Sequence, residues 1–177
     1  MKRLGITSLG VATAALMLSA CGATATTASS APPSTTTTTV NQTTGPVGTT
    51  FSYSGAYDVT LLSVTDPAQP DNSFDAAPAG QRLVGANFLI TNTGKTAQSD
   101  DADTTANLQG TDLQTYQSSF SGLAGCTDFS SGQFNVPPGG ESKGCVAFQV
   151  PSGVRVANIT WQPTGDVNGT VTWTVSK

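Results

Sequence analysis

Four aspartates near the middle of the chain have a type and spacing that would suit a metal ion. Asp100, Asp101 and Asp103 are almost adjacent, and Asp112 follows a short way along the chain. Calcium takes about six to eight oxygen ligands, which such a segment can supply. Counted from Asp101, acids stand at positions 1, 3 and 12, as in an EF-hand loop, but Ala106 replaces the glycine required at position 6. Two interpretations stay open: an irregular calcium site, or a solvated acidic loop between two strands. No other cofactor is expected.

The start of the chain has the pattern of a secretory signal peptide. Lys2 and Arg3 precede an uncharged run over residues 4–20, which is shorter than the roughly 20 predominantly apolar residues that a spanning helix needs. The run ends in Leu-Ser-Ala-Cys at residues 18–21, which resembles the lipobox of bacterial lipoproteins. The resemblance implies cleavage before Cys21 and attachment of acyl chains such as palmitate through its sulfur. We therefore expect a lipid-anchored protein on the extracytoplasmic face of the cell membrane.

The two remaining cysteines are predicted to form a disulfide. With Cys21 assigned to lipid, Cys126 and Cys145 are an even pair in an oxidising compartment. Closing the loop between them would stabilise the fold by about 3 kcal/mol in the loop-entropy model. The alternatives are a zinc site or a redox pair, but the chain has no histidine to complete a zinc site. It also lacks the close Cys-x-x-Cys spacing of redox pairs.

The absence of histidine narrows the possible chemistry. The chain has no histidine and a single glutamate, Glu141, which stands beside a Pro-Gly turn. Ser-His-Asp and Cys-His catalysis both need histidine, and a paired-carboxylate glycosidase needs a cleft that nothing here indicates. The net charge of −4 offers no attraction to nucleic acid. We expect neither an enzyme nor a nucleic-acid-binding protein.

Aromatic side chains offer a second possible site. Trp161 and Trp173, together with Tyr53, Tyr57 and Tyr116, have the ring surfaces on which sugars stack. Both tryptophans lie in alternating segments, where an indole ring usually packs in the core. Exposed aromatics in loops would be more suggestive, and three phenylalanines flank the cysteine loop: Phe120, Phe129 and Phe134. Core packing is the prediction, with glycan binding as the alternative.

Composition divides the chain into three parts. Residues 1–20 are the signal peptide, residues 21–46 are rich in threonine, serine and proline, and residues 47–177 have the composition of a folded domain. The middle part has too few apolar side chains to offset the entropy of ordering, so we expect a flexible tether. Its composition also suits O-glycosylation. The remainder, about 130 residues, has the size of one domain.

Short alternating runs broken by turn residues predict that this domain is all-β. The clearest run, residues 82–91, puts four apolar side chains on one face: Val84, Ala86, Phe88 and Ile90. Residues 57–64 also alternate, with a change of phase at Leu61–Leu62. About seven to nine strands are predicted, near residues 51–53, 57–64, 82–91, 106–110, 113–120, 133–136, 144–150, 154–161 and 170–175. This pattern is typical of an antiparallel, immunoglobulin-like β-sandwich.

Two segments of the domain share motifs with a known family. Residues 80–94 (GQRLVGANFLITNTG) combine a glycine, an alternating strand and Asn-Thr-Gly. Residues 136–151 (VPPGGESKGCVAFQVP) place a Pro-Gly turn before a strand that ends in Val-Pro. These motifs resemble the telokin-like, immunoglobulin-fold secreted domains of actinobacteria, a family that includes a mycobacterial immunoprotective extracellular antigen. The resemblance covers roughly residues 47–175 and implies a secreted or envelope β-sandwich. The resemblance implies no active-site residue in this chain.

The sequence leaves more than one function open. The first is a lipid-anchored binding or adaptor module whose loops or sheet face contact an envelope protein or a glycan. The second is a lipoprotein that binds a small ligand or calcium and assists a transporter. The third is a structural spacer in the envelope. An enclosed apolar pocket between the sheets would favour the second, and a solid core with exposed apolar side chains would favour the first.

Overall fold

Most segments in which apolar and polar residues alternate form β-strands in the structure. The computed structural model describes residues 43–166 and 168–175, and these form eleven strands and one short helix. In chain order the elements are β1 (Thr44–Pro46), β2 (Thr50–Tyr53), β3 (Tyr57–Ala68), β4 (Gln81–Asn92), β5 (Gln98–Asp101), α1 (Ala102–Thr105), β6 (Ala106–Gly110), β7 (Thr115–Gln117), β8 (Gln133–Val136), β9 (Glu141–Pro151), β10 (Val156–Trp161) and β11 (Val171–Thr174). No helix among these residues is long and apolar enough to cross a membrane.

Two main sheets pack face to face. One has the strand order β2-β3-β4-β9 and the other has the order β1-β11-β10-β6-β7, while β5 and β8 form a separate two-stranded ribbon. All pairings are antiparallel except that of β1 with β11, which is parallel. The predicted all-β sandwich is therefore confirmed, with one parallel contact at the edge of the larger sheet.

Large aromatic side chains fill the space between the two sheets. Phe88 of β4 packs against Trp161 of β10 and Trp173 of β11, with ring centroids 4.9 Å and 5.8 Å away. Each indole N–H has a partner, since Trp161 donates to the Tyr57 hydroxyl and Trp173 donates to the Thr49 carbonyl. The two largest core side chains therefore have their polar groups satisfied, which is the condition for burying them in an apolar interior.

A second, smaller apolar cluster covers the outer face of the four-stranded sheet. Its buried members come from strands β3, β4 and β9 and from the long loop after β7: Ala68, Leu83, Leu123, Cys145 and Ala147. Outward-facing positions of a two-layer sandwich are usually polar. These apolar positions exist because the loops between β3 and β4 and between β7 and β8 fold back over the sheet.

The strand predictions agree with the structure where the apolar alternation is strong. The four predicted core residues of β4 are fully buried, β6 and β8 have the predicted bounds, and the phase change at Leu61–Leu62 is a register shift between Leu61 and Ser63. The predicted strand at 113–120 is short, since β7 covers only Thr115–Gln117.

Three elements were not predicted. Strand β5 and helix α1 lie in the acidic segment, and β1 falls within residues 21–46, which were assigned to the tether. Since β1 pairs with β11, the domain begins at least as early as Thr44. The count is therefore eleven strands rather than seven to nine. The signal-peptide and lipobox predictions, and the tether prediction for residues 21–42, lie outside the described residues.

Candidate functional site

Two loops lie over the outer face of the four-stranded sheet and carry the candidate site. We call residues 69–76, from the β3–β4 loop, and 118–132, from the β7–β8 loop, the loop surface. The two loops are joined by backbone hydrogen bonds from Asp71 to the Gly122 carbonyl and from Ala124 to the Gln69 carbonyl, both of 2.9 Å. An isolated β-bridge between Pro70 and Leu123 adds to this connection. The two loops therefore form one layer.

The longer loop is fixed to the sheet at three points. Cys126 forms a disulfide with Cys145 of β9, with the two Cα atoms 6.0 Å apart, as the cysteine count predicts. Leu123 lies so close to Gly85 of β4 that a Cβ there would be 2.7 Å from its Cδ1 atom. At the third point, Phe129 packs against Gly144. A side chain at Gly144 would displace the Phe129 ring, and one at Gly85 would force the Leu123 side chain to move.

Two phenylalanines project from the fixed layer into solvent. Phe74 is 98% exposed and Phe120 is 75% exposed. Phe74 follows a turn in which the Asn72 side chain accepts a hydrogen bond of 2.8 Å from the Phe74 backbone N–H. Phe120 has φ = 52°, in the left-handed region that non-glycine residues rarely adopt. The solvated aromatic rings are therefore held out by ordered backbone.

Carboxylates lie near both phenylalanines. Asp71 and Asp75 flank Phe74 in its loop, while Asp103 and Asp128 line a cavity of about 160 Å³ together with Phe120. Burial, followed by repulsion from Asp101 and Asp128, raises the pKa of Asp103 to about 6. Burial, followed by repulsion from Asp75 and Asp71, raises the pKa of Asp128. These carboxylates are near neighbours. We call Asp71, Asp75, Asp103 and Asp128 the negative rim of the loop surface.

The four predicted calcium ligands do not form one group, although Asp101 and Asp103 lie close to each other. Asp101 is the N-cap of α1, where its side chain accepts hydrogen bonds from Asp103 N–H (3.0 Å) and Thr104 N–H (3.2 Å). Asp100 accepts hydrogen bonds from its neighbour Asp101 and from Thr164 N–H (2.9 Å). Both oxygens of Asp100 and the Oδ1 atom of Asp101 therefore already accept hydrogen bonds from the backbone.

Asp112 lies in a different part of the domain. Asp112 follows β6, and the five extended residues of that strand separate it from α1. It therefore lies about 13 Å or more from the other acids. Its side chain accepts a hydrogen bond of 2.7 Å from the Tyr116 hydroxyl, and that bond lowers the pKa of Asp112. Within residues 43–166 and 168–175, no three carboxylates or cysteines are grouped so as to hold a metal ion. The prediction of a shared calcium site is corrected accordingly.

Most of the aromatics considered for glycan stacking belong to the core. Trp161 and Trp173 have no exposed surface, and Tyr57, Phe129 and Phe134 are also buried. Of the three phenylalanines predicted to flank the cysteine loop, Phe120 alone is exposed. The sequence analysis did not single out Phe74. The available signal was a lone aromatic in the polar segment Asn-Ser-Phe-Asp at residues 72–75, outside any alternating run.

Comparison with known proteins identifies the fold. No protein-family model matches the chain, and no curated protein matches it in sequence. Among solved structures, a secreted protein of Mycobacterium tuberculosis, MPT63, is 15% identical with a TM-score of 0.53, over 77% of this chain and 99% of that protein. The Bacillus subtilis protein yjhA is 12% identical with a TM-score of 0.51, over 75% of this chain and 99% of that one.

A third neighbour is larger than this domain. It is ycdA of Bacillus subtilis, a candidate lipoprotein, at 16% identity and a TM-score of 0.54 over 71% of this chain and 38% of that protein. At such identities the likeness shows the fold alone. The neighbours include a secreted protein and a candidate lipoprotein, so they agree at this coarse level with the resemblance found in the sequence.

Proposed function

We propose that this chain is a lipid-anchored binding module of the cell envelope, and not an enzyme, that docks another envelope protein through its loop surface. The observation that carries the proposal is the pair of solvated phenylalanines, Phe74 and Phe120, on a layer that is fixed to the sheet by a disulfide. Buried aromatic anchors dominate the binding energy of many protein interfaces. Large aromatic side chains fill the centre of the sandwich, which favours this function over a carrier with an enclosed central cavity.

The negative rim indicates the chemistry of the partner. Asp71 and Asp75 lie close enough to Asp128 to raise its pKa by repulsion, and these carboxylates belong to the same two loops as the exposed rings. Complementary charge across an interface steers association and selects between partners. The partner surface is therefore expected to carry lysine or arginine around an apolar recess.

The fixed geometry of the loops supports a binding role. The disulfide, the Leu123–Gly85 contact and the Phe129–Gly144 contact hold the loop in place before any partner arrives. A preorganised surface pays less ordering entropy on association than a flexible loop does. More of the free energy gained when a partner buries the exposed rings therefore contributes to affinity.

The proposed location rests on the N-terminal pattern. Acyl chains on Cys21 would hold the module at the membrane, and two or more chains give stable anchoring where one does not. The similarity of the fold to a secreted protein and to a candidate lipoprotein supports an extracytoplasmic location. The partner is then expected among proteins of the same envelope.

Site-specific photocrosslinking in the native cell tests the docking proposal. The photoreactive analogue p-benzoylphenylalanine is placed at position 120 and, as the matched control, at position 113. Leu113 is 78% exposed and also has a positive φ, but it lies at the turn between β6 and β7. We expect one defined protein adduct from position 120 and none from position 113. The yield of that adduct is expected to fall as ionic strength rises, because salt screens the attraction between opposite charges.

The same experiment has outcomes that would contradict the proposal. Equal adducts from both positions would indicate nonspecific contact, and the absence of any adduct from position 120 would remove the docking surface. An adduct that cell-wall hydrolases release would identify a glycan instead of a protein. A Cys21→Ala chain tests the anchor separately, because it should leave the detergent phase on phase partitioning and lose the adduct. A wild-type chain that stays in the aqueous phase would contradict the lipid anchor.

A further inference from the structure

A groove opens at one edge of the sandwich, between the two sheets. Its volume is about 520 Å³, within the range of sites that bind small molecules. Residues from both sheets and from adjoining turns form its walls, and the apolar ones are Val47, Leu62, Val64, Val156, Ala157 and Val175. We call it the edge groove. It shares no lining residue with the loop surface.

The edge groove exists because a strand is missing from one side of β3. Strand β2 pairs with β3 only between Tyr57 and Thr60, and the register shift between Leu61 and Ser63 follows directly. In the part of the chain that the structure describes, no strand pairs with the rest of β3 on that side. The core is therefore open to solvent here, and three of its partly buried members line the groove: Val47, Val64 and Val175.

The charges around the edge groove favour an anion. Two charged residues line it, Asp66 and Arg155. The Asp66 carboxylate is bound at both oxygens by Arg82, at 2.6 Å and 2.9 Å, so its charge is compensated. Arg155 is exposed and forms no salt bridge with any residue of the described segments. Among the described residues, Arg155 is therefore a cation without a carboxylate partner beside the apolar lining of the groove.

We propose that the edge groove binds a single-chain amphiphilic anion, with its apolar chain along the valines and its carboxylate or phosphate head at Arg155. The chain would cover the part of the core that β2 leaves open, and the head would supply the negative charge that Arg155 lacks. The planar guanidinium can form two parallel hydrogen bonds with either a carboxylate or a phosphate group. This inference is independent of the docking function, because it uses a different surface and a different ligand.

Calorimetric titration of the full chain carrying Cys21→Ala tests this site, since no acyl group on the protein can then occupy the groove. The probes are dodecanoate and dodecyl phosphate below their micelle concentrations, with dodecyltrimethylammonium as the cationic control. We expect saturable binding of one anion per chain. Because each buried methylene contributes about 0.8 kcal/mol, affinity should rise about fourfold per added methylene between octanoate and dodecanoate. The comparison of the two head groups identifies the source of the ligand.

Two charge variants locate the head group. Arg155→Gln should weaken anion binding about tenfold, the effect of removing one charged hydrogen-bond partner. Lys95→Gln removes the same charge from an exposed site outside the groove and should bind as the parent does. Near-ultraviolet circular dichroism of the buried tryptophans checks that both variants are folded. Equal binding of the cationic amphiphile, equal affinities of the two variants or no binding of any probe would overturn the proposal.

Discussion

At the scale of single residues, Phe120 combines two unfavourable features. Its backbone has φ = 52°, and its ring is 75% exposed, so neither conformational preference nor packing explains a phenylalanine there. A non-glycine residue in the left-handed region costs about 1–2 kcal/mol. Such outliers cluster at binding sites, where the surrounding structure maintains them. Leu113 shares both features at the β6–β7 turn, so the role proposed for Phe120 rests on its place in the loop surface.

Replacing Phe120 by asparagine separates stability from docking. Asparagine tolerates the left-handed conformation, so Phe120→Asn should leave the free energy of unfolding unchanged or raise it by up to about 1 kcal/mol. The variant should nevertheless lose the partner protein that the wild type captures. Urea unfolding gives the stability, and co-purification of the crosslinked partner gives the binding. A clear loss of stability would show that the ring is structural.

Asp103 gives the domain a pH dependence of predictable sign. Its folded pKa of about 6 lies above the ordinary value, so the folded state binds the proton more tightly than the unfolded state does. Stability should therefore fall as the pH rises from about 4 to 6 and stay at the lower level above 6. Because the carboxylate is only half buried and solvent screens it, the loss should not exceed about 1 kcal/mol.

The variant Asp103→Asn should remove the part of that dependence that Asp103 contributes, while the raised pKa of Asp128 leaves a fall of the same sign. At neutral pH it should unfold at a slightly higher denaturant concentration than the wild type, and at pH 4 the two should coincide, because both side chains are then uncharged. Asp58→Asn is the control, since Asp58 lies on β3, outside the acidic segment. Identical pH profiles for wild type and Asp103→Asn would contradict the assignment.

At the scale of elements, the disulfide joins the loop after β7 to the central part of β9. In the loop-entropy model a closure of this length contributes about 3 kcal/mol. The double variant Cys126→Ala/Cys145→Ala should therefore lose about that much free energy of unfolding, and the exposed loop should become accessible to limited proteolysis near Phe120. Wild-type protein treated with reductant should match the double variant. An unchanged unfolding midpoint would show that the loop is held by Leu123 and Phe129 alone.

Sequence alternation predicts those elements whose two faces meet different surroundings. Strand β4 follows this rule, because every second side chain enters the core. Strand β1 does not, since Thr44, Gly45 and Pro46 have the same composition as the preceding segment and its partner β11 is more than 100 residues away. Its formation depends on a long-range contact that no local pattern records.

The acidic segment shows the same limit for the candidate site. The spacing of Asp100, Asp101 and Asp103 matches part of a calcium loop, but the order Asp-Ala-Asp-Thr-Thr at residues 101–105 is also that of an N-cap followed by a short helix. The structure adopts the second arrangement. The loop surface could not be predicted, because it depends on two loops separated by about 50 residues that meet over β4 and β9.

At the scale of the whole molecule, the sandwich presents two distinct surfaces on one rigid core. The loop surface carries exposed aromatic rings near a negative rim, and the edge groove has an apolar lining with the cation Arg155 beside it. The proposed anchor at Cys21 would keep both near a membrane, where basic protein segments and amphiphilic anions are available. Neither surface requires a catalytic residue.

Hydrogen–deuterium exchange of the wild-type chain, in native envelope vesicles and after purification, tests the docking account most directly. In the vesicles, backbone amides of residues 118–126 should exchange at least about tenfold more slowly than in the purified protein, because a docked partner excludes water from the loop surface. Residues 111–117, which include exposed Leu113, should exchange equally in both. Equal exchange of residues 118–126 in the two samples, or protection confined to residues 111–117, would contradict the account.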